Sequence, residues 1–156
     1  MTAVACPFCG AEHTAGTYVC PVTNRRLQGL LPVNTTIDDK YRIDGIIGVG
    51  GMGVVYRAEH TKIGRQVALK MLLPEYIVYP DLVARVEREA RTAGQIDHPN
   101  VVSIVDLGST NEYGPYIAME LLRGQELATT VEKAGGRLDA AEAVVTPRDE
   151  TELVRV

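Results

Sequence analysis

Six residues, Gly48-Val49-Gly50-Gly51-Met52-Gly53, put four glycines between two runs of strand-forming side chains, Tyr41 to Ile47 before them and Val54 to Glu59 after. A cluster of this kind interrupts both helix and straight strand, so it marks the tip of a β-hairpin. The order Gly48-x-Gly50-x-x-Gly53-x-Val55 admits three readings. A dinucleotide site needs the third glycine to open a helix, with an acidic residue ~20 positions on. Here β-branched and aromatic residues follow at once, which favours a strand. A P-loop needs Gly-Lys-Ser/Thr, and that tripeptide is absent. The third reading is a plain glycine-rich turn. Glycines at such a tip also let backbone N–H groups approach phosphate oxygens with no Cβ between them.

A phosphate-holding loop needs a cation, and the next strand offers one. After the turn Thr61-Lys62-Ile63-Gly64, the stretch Gln66 to Leu73 reads as a third strand containing Val67-Ala68-Leu69-Lys70. Strand alternation puts Lys70 on the same face as Ala68, with Val67, Leu69 and Met71 on the other. Asp81 is a candidate N-cap for a helix from Leu82 to about Gln95. With Leu82 at zero and 100° per residue, Val86, Ala93 and Ile96 fall within about 40° of it, as one apolar stripe. Glu89 falls inside that stripe, while Glu87, Arg88 and Arg91 fall outside. A carboxylate on an apolar face is costly unless paired, and Lys70 is the partner the neighbouring strand supplies.

Asp97-His98-Pro99-Asn100 reads as a turn, and Val101 to Leu107 and Tyr116 to Leu122 as two more strands joined by a polar loop, Ser109 to Gly114. Three strands, one helix, two strands and a weakly helical tail make an α+β arrangement, not an alternating βαβ one. A net charge of −4 argues against a general nucleic-acid binder, and no apolar run approaches the ~20 residues of a membrane span. With 46% hydrophobic and 23% charged residues, the composition is that of a globular protein.

Residues 1–30 differ in character. They hold all three cysteines and little periodic apolar pattern, so a metal or a neighbour must order them. Cys6-Pro7-Phe8-Cys9-Gly10 reads as a zinc knuckle: two thiolates on a tight turn relieved by glycine. The second such segment, Cys20-Pro21-Val22-Thr23, lacks the fourth thiol, and His13 could complete a Cys₃His site. The competing reading is a metal-free remnant with free thiols. Either way, an odd number of cysteines with a Cys-x-x-Cys pair points to a reducing compartment, the cytoplasm.

Taken together, these residues resemble the N-terminal lobe of the eukaryotic-like Ser/Thr protein kinases of bacteria, from about Tyr41 to Leu127. Gly48 to Ala58 looks like the glycine-rich loop of that family, Val67-Ala68-Leu69-Lys70 like its third strand, and Arg88-Glu89-Ala90 like the glutamate turn of its C-helix. His98-Pro99-Asn100-Val101-Val102 is similar to the turn after that helix, and Ile117 to Leu122 to the fifth strand and hinge. The resemblance implies a five-stranded antiparallel sheet with one C-helix, binding ATP with Mg²⁺. It implies that Gly48, Gly50 and Gly53 cover the phosphates and that Ile47, Val55 and Ala68 sandwich the adenine. Lys70 would contact the α- and β-phosphates and pair with Glu89. Met119 would gate the back of the pocket, the backbone of Glu120 and Leu122 would meet the adenine edge, and Glu126 aligns with a ribose contact. His98 reads as a turn residue. Small zinc ribbons preceding bacterial kinase domains resemble residues 1–30, with Zn²⁺ on Cys6, Cys9, Cys20 and His13.

The family's remaining chemistry is missing from these residues. None of the histidines (13, 60 and 98) is followed by Arg-Asp, and Phe8 is the only phenylalanine, so the Asp-Phe-Gly that holds Mg²⁺ has no usual place. Residues 121–156 are too few for the helical C-lobe, so the expectation is a lobe that stands here without it. Gly136 to Val144 looks like the approach to the family's next long helix until Pro147 breaks the pattern. The expected organisation is a zinc-ribbon-like segment (1–30), a linker (31–40), the lobe (41–127) and a truncated or aberrant tail (128–156). The expected function is the ATP-binding part of a Ser/Thr protein kinase, inactive as these residues stand, acting on a protein substrate the sequence does not identify. The alternatives are a non-catalytic nucleotide- or protein-binding module, or a gene fragment without a settled function.

Overall fold

A computed structural model describes residues 3–6, 8–14, 19–25, 27, 29–124, 127–133 and 135–136. The N-terminal segment is a small hairpin, β1 (Ala3–Ala5) paired with β2 (Glu12–Thr14). The rest is one antiparallel sheet formed by β3 (Thr36–Ile37), β4 (Tyr41–Val49), β5 (Gly53–His60), β6 (Arg65–Leu72), β7 (Ile104–Thr110) and β8 (Gly114–Glu120), in the spatial order β3-β4-β5-β6-β8-β7. Three helices complete it: α1 (Pro74–Ile77), α2 (Pro80–Ala93) and α3 (Leu127–Lys133).

Register explains the core. Val54, Met71 and Tyr116 lie side by side across three strands, as do Tyr56, Leu69 and Ala118. All six are buried, on one face of the sheet. Each large apolar side chain so placed contributes about 1.5–3 kcal/mol. Val67, Leu69 and Met71 do point away from Lys70, as alternation requires.

The sheet has six strands where five were expected. The extra one lies in the stretch read as a linker: Thr36 pairs with Arg42 and Ile37 with Tyr41, and Ile37 is fully buried. Leu30 and Leu31 pack on the same core, and the Leu31 N–H donates to the Tyr56 hydroxyl at 2.9 Å. Two residues are too short for a periodic signal, which is why the strand escaped the sequence pattern.

Two buried tyrosines end in carboxylates that join the two ends of the strand order. The Tyr116 hydroxyl donates to Asp38 at 2.6 Å and the Tyr41 hydroxyl to Asp106 at 3.0 Å, while Lys40 lies between the two acids, 2.9 Å from Asp38 and 3.4 Å from Asp106. Gly108 makes room for the first of these, since a Cβ there would sit 2.4 Å from the Tyr116 ring.

The helix α2 starts one residue before the expected cap. Pro80 takes the first helical position, Tyr79 precedes it without a side-chain cap, and Asp81 complements the helix dipole from within the first turn. Among the described residues no helix is long and apolar enough to cross a membrane.

Candidate functional site

The face of the sheet opposite the core collects most of the residues the sequence singles out. Val55 pairs with Lys70 and Lys70 with Ile117; Arg57 pairs with Ala68 and Ala68 with Met119. Val55, Ala68, Lys70 and Met119 therefore share one surface. Ala68 is buried, Val55 and Met119 are half-buried, and Lys70 is exposed. Ile47, 40% exposed, lies at the bulged end of β4, where the pairing slips between Ile46 and Gly48.

The glycines at the hairpin tip divide into two kinds. A Cβ on Gly53 would stand 2.5 Å from the Met71 carbonyl oxygen, so the fold itself demands glycine there. A Cβ on Gly48 would meet nothing within 4 Å, and one on Gly50 nothing closer than 3.6 Å. Neither has a left-handed backbone. The loop is closed by the Gly50 N–H on the Gly53 carbonyl at 2.8 Å and by the Leu73 N–H on the Met52 carbonyl at 3.0 Å. Packing inside this chain does not account for glycine at positions 48 and 50, whereas close approach of a ligand would.

At the far end of the surface, Glu120 is held twice: its N–H donates to the Ser103 carbonyl at 3.0 Å and its carboxylate accepts from the Ser103 N–H at 2.7 Å. Leu122 follows, half-buried. Glu126 lies outside the described residues. His98 is a turn residue, its Nδ1 accepting the Asn100 N–H at 3.1 Å.

The structure does not bring Lys70 and Glu89 together. Glu89 accepts from Arg85 Nε at 2.9 Å on the exposed side of α2, and Lys70 has no carboxylate partner among the described residues. The apolar face of α2 is centred on Ala90, its one buried residue, flanked by half-buried Val83 and Val86. Glu89 is one residue, about 100°, round from that centre. The stripe drawn from Leu82 through Ile96 was misplaced because Ile96 lies beyond the helix and is 50% exposed. The Arg85–Glu89 spacing of four was itself a sequence signal for the pair that forms.

A second site lies in the N-terminal segment. Cys6, Cys9, His13 and Cys20 each offer one ligand atom, all within 4.8 Å of one another. His13 Nε2 is 3.3 Å from Cys9 Sγ and 3.4 Å from Cys20 Sγ, and the two sulfurs are 3.6 Å apart. Zn–S and Zn–N bonds of ~2.3 and ~2.0 Å give tetrahedral edges of roughly 3.5–3.8 Å, so three thiolates and an imidazole suit zinc here. Cys6 and Cys20 are buried. Burial pushes the Cys20 thiol up, but the Thr23 hydroxyl and the backbone around Thr23 and Val22 outweigh it and bring it down to about 5. The Ala11 backbone holds the Cys9 thiol down, yet burial and the sulfurs of Cys6 and Cys20 together leave it raised. Thr23, which had no assigned role, holds its hydroxyl buried near Cys20 without a hydrogen bond of ordinary geometry.

Comparison with known proteins agrees with this geometry. The profile of the protein kinase domain family matches residues 41–147. Serine/threonine-protein kinase pkn3 of Myxococcus xanthus is 41% identical over 95 residues, covering 61% of this chain and 17% of that protein. PknA of Mycobacterium tuberculosis is 36% identical over 107 residues, 66% of this chain and 25% of that protein. PrkC of Bacillus subtilis is 39% identical over 112 residues, 72% of this chain and 17% of that protein. The chain thus spans at most 25% of these relatives. Among solved structures, the kinase domain of M. tuberculosis PknI has a TM-score of 0.61 at 24% identity, over 72% of this chain and 45% of that one. The apo form of PpkA-294 has a TM-score of 0.62 at 21% identity, over 72% and 46%. These two likenesses bear on the fold, and the profile extends it to family. With the glycine hairpin, lysine strand and following helix in matching order, the chain belongs to the protein kinase domain family and carries the N-lobe of a bacterial Ser/Thr kinase.

Proposed function

We propose that the surface formed by Val55, Ala68, Lys70 and Met119 binds ATP, and that the lobe is the nucleotide-holding part of a kinase phosphorylating protein Ser/Thr. The observation that carries this reading is the pair of glycines, Gly48 and Gly50, which the fold leaves free to be larger and which border the Lys70 face. In this reading Gly48, Gly50 and Gly53 let backbone N–H groups reach the phosphates, and Lys70 neutralises the α- and β-phosphates. Ile47, Val55 and Ala68 enclose the base, Met119 limits its depth, and the backbone of Glu120 and Leu122 supplies its polar edge. Glu126 completes the set at the ribose.

Glu89 reaches Lys70 only if α2 turns by about a quarter of a revolution and Arg85 releases it. Mg²⁺ is the family's metal for phosphoryl transfer, and the Asn and Asp that hold it in the family are not supplied by these residues. The 156 residues on their own therefore transfer phosphate negligibly. Cys6, Cys9, His13 and Cys20 hold Zn²⁺ as a structural centre, and cysteines kept unoxidised for such a centre fit the reducing cytoplasm.

Thermal unfolding with and without Mg-ATP, on the wild type and Lys70→Met, tests the reading. At a hundredfold excess over the dissociation constant, binding adds about 2.7 kcal/mol and raises the midpoint by several degrees. The wild type is expected to show this rise and Lys70→Met to lose it. No rise in the wild type overturns the proposal.

A further inference from the structure

The short helix α1 is gripped at both ends. At its first residue, a Cβ on Gly29 would stand 2.9 Å from Pro74 Cδ and 3.6 Å from Leu73 Cδ2. At its last, a Cβ on Gly114, where β8 begins, would stand 2.8 Å from Ile77 Cδ1. Both glycines take a left-handed backbone, with φ of 81° and 69°. An L side chain enters that conformation only with strain. At Gly29 the facing atom also belongs to a proline ring, which has little freedom to move aside.

The chain beside Gly29 is anchored as well as closely packed. Leu30 and Leu31 pack on the core of the lobe, as does Tyr76 of α1. The Leu31 N–H donates to the hydroxyl of the buried Tyr56 at 2.9 Å. The N-terminal segment therefore enters the lobe against the start of α1.

From α1 the grip passes to α2 through Tyr79. Its N–H donates to the Tyr76 carbonyl at 3.2 Å, and its own carbonyl accepts from the N–H groups of Leu82 and Val83, each at 3.1 Å. One residue thus closes α1 and opens α2. A turn of α2 about its axis has to carry α1 with it, against Gly29 on one side and Gly114 on the other.

We infer that residues 29–31 clamp α1 and so hold α2 where Glu89 meets Arg85 and not Lys70, which makes Gly29 a positioning residue for the Lys70–Glu89 pair. This rests on the reading above, in which that pair forms beside a nucleotide, and adds the element that controls it. Release of the N-terminal segment from the lobe is the event that frees α2 for its quarter turn.

A water-soluble carbodiimide, which joins a lysine amine to a neighbouring carboxylate as an amide, reads this pair in the full chain with no nucleotide present. Peptide mass spectrometry measures the Lys70–Glu89 link in Arg85→Ala, where the competing partner is gone, and in the same chain with Gly29→Ala or Tyr56→Phe added. Each addition breaks one anchor of the clamp. Both double variants are expected to give about threefold more link than Arg85→Ala alone, with the amide resonances of Tyr76 and Tyr79 displaced. Tyr116→Phe added instead loosens the fold away from the clamp and is expected to give no more link. An equal rise there assigns the effect to lost stability and overturns the inference. Displaced resonances with no added link overturn it, and so do undisplaced resonances in both double variants, since those anchors then do not hold α1. A Mg-ATP thermal shift in the wild type beside an unresponsive link keeps the nucleotide reading and removes the clamp. A responsive link without that shift keeps the clamp and removes the nucleotide reading.

Discussion

Replacing each hairpin glycine by alanine separates those the fold requires from those a ligand would require. At Gly53 the added Cβ would lie 2.5 Å from the Met71 carbonyl oxygen and 3.4 Å from its carbonyl carbon. Both are backbone atoms of the paired strand, so neither can rotate away. Overpacking of this kind costs about 1–3 kcal/mol. Alanine recovers roughly 0.5–1 kcal/mol of the entropy that glycine loses in a strand, leaving a net loss of up to about 2.5 kcal/mol. For a domain of this size that lowers the thermal midpoint by roughly 4–8 °C per kcal/mol. At Gly48 and Gly50 the new methyl enters open space, so Gly48→Ala and Gly50→Ala should be neutral or more stable by about 0.4–1 kcal/mol. Urea unfolding followed by far-UV circular dichroism measures these differences, and titration with a fluorescent ATP analogue measures binding. Gly53→Ala is expected to lose stability, and Gly48→Ala and Gly50→Ala to lose nucleotide affinity while keeping it. A Gly53→Ala chain as stable as wild type, or a Gly50→Ala chain that unfolds early, would refute the steric reasoning. Unchanged affinity in both outer variants would remove the ligand from the explanation.

The tyrosine–carboxylate edge makes stability depend on pH at both ends. The Tyr116 hydroxyl, then Lys40, holds the Asp38 carboxyl below its ordinary range, so its stabilisation is present above pH ~4 and fades as pH falls through the lower folded value. Burial first, and the acceptor carboxylates next, raise Tyr41 and Tyr116, so that contribution is complete below pH ~10 and lost above it. Tyr116→Phe should cost about 1–2 kcal/mol at pH 7 and flatten the acid limb of a denaturation-versus-pH curve; an unchanged acid limb would exclude Asp38 as its source. Arg85→Ala should change stability by under about 0.5 kcal/mol, since the pair is exposed. It should also raise ATP affinity about twofold by releasing Glu89 towards Lys70; a drop in affinity would contradict that role.

The strands, the glycine hairpin and the side of the sheet taken by Lys70 all followed from local rules, because period-two alternation and glycine clustering act over few residues. Gly53 differs from Gly50 only through the Met71 carbonyl on the next strand, a contact no local pattern encodes. The same is true of Glu89. Its side of the helix was set by where β7 and β8 pack, and a stripe drawn through Ile96 counted a residue beyond the helix end. The edge strand Thr36–Ile37 was hidden by its length, and its burial comes from Tyr41 and the core below. In the cysteine segment the grouping of Cys6, Cys9, His13 and Cys20 was visible in the spacing.

The central claim is that one face of the sheet, and not the other, receives the nucleotide. Backbone amide resonances of the ¹⁵N-labelled chain, followed during titration with ATP, test it residue by residue. The account predicts saturable shifts from Gly48 to Gly53 and at Val55, Ala68, Lys70, Met119, Glu120 and Leu122, with little change at Ile37 or the Asp38–Tyr116 edge. Shifts centred on that edge, or none at millimolar ATP, would contradict it.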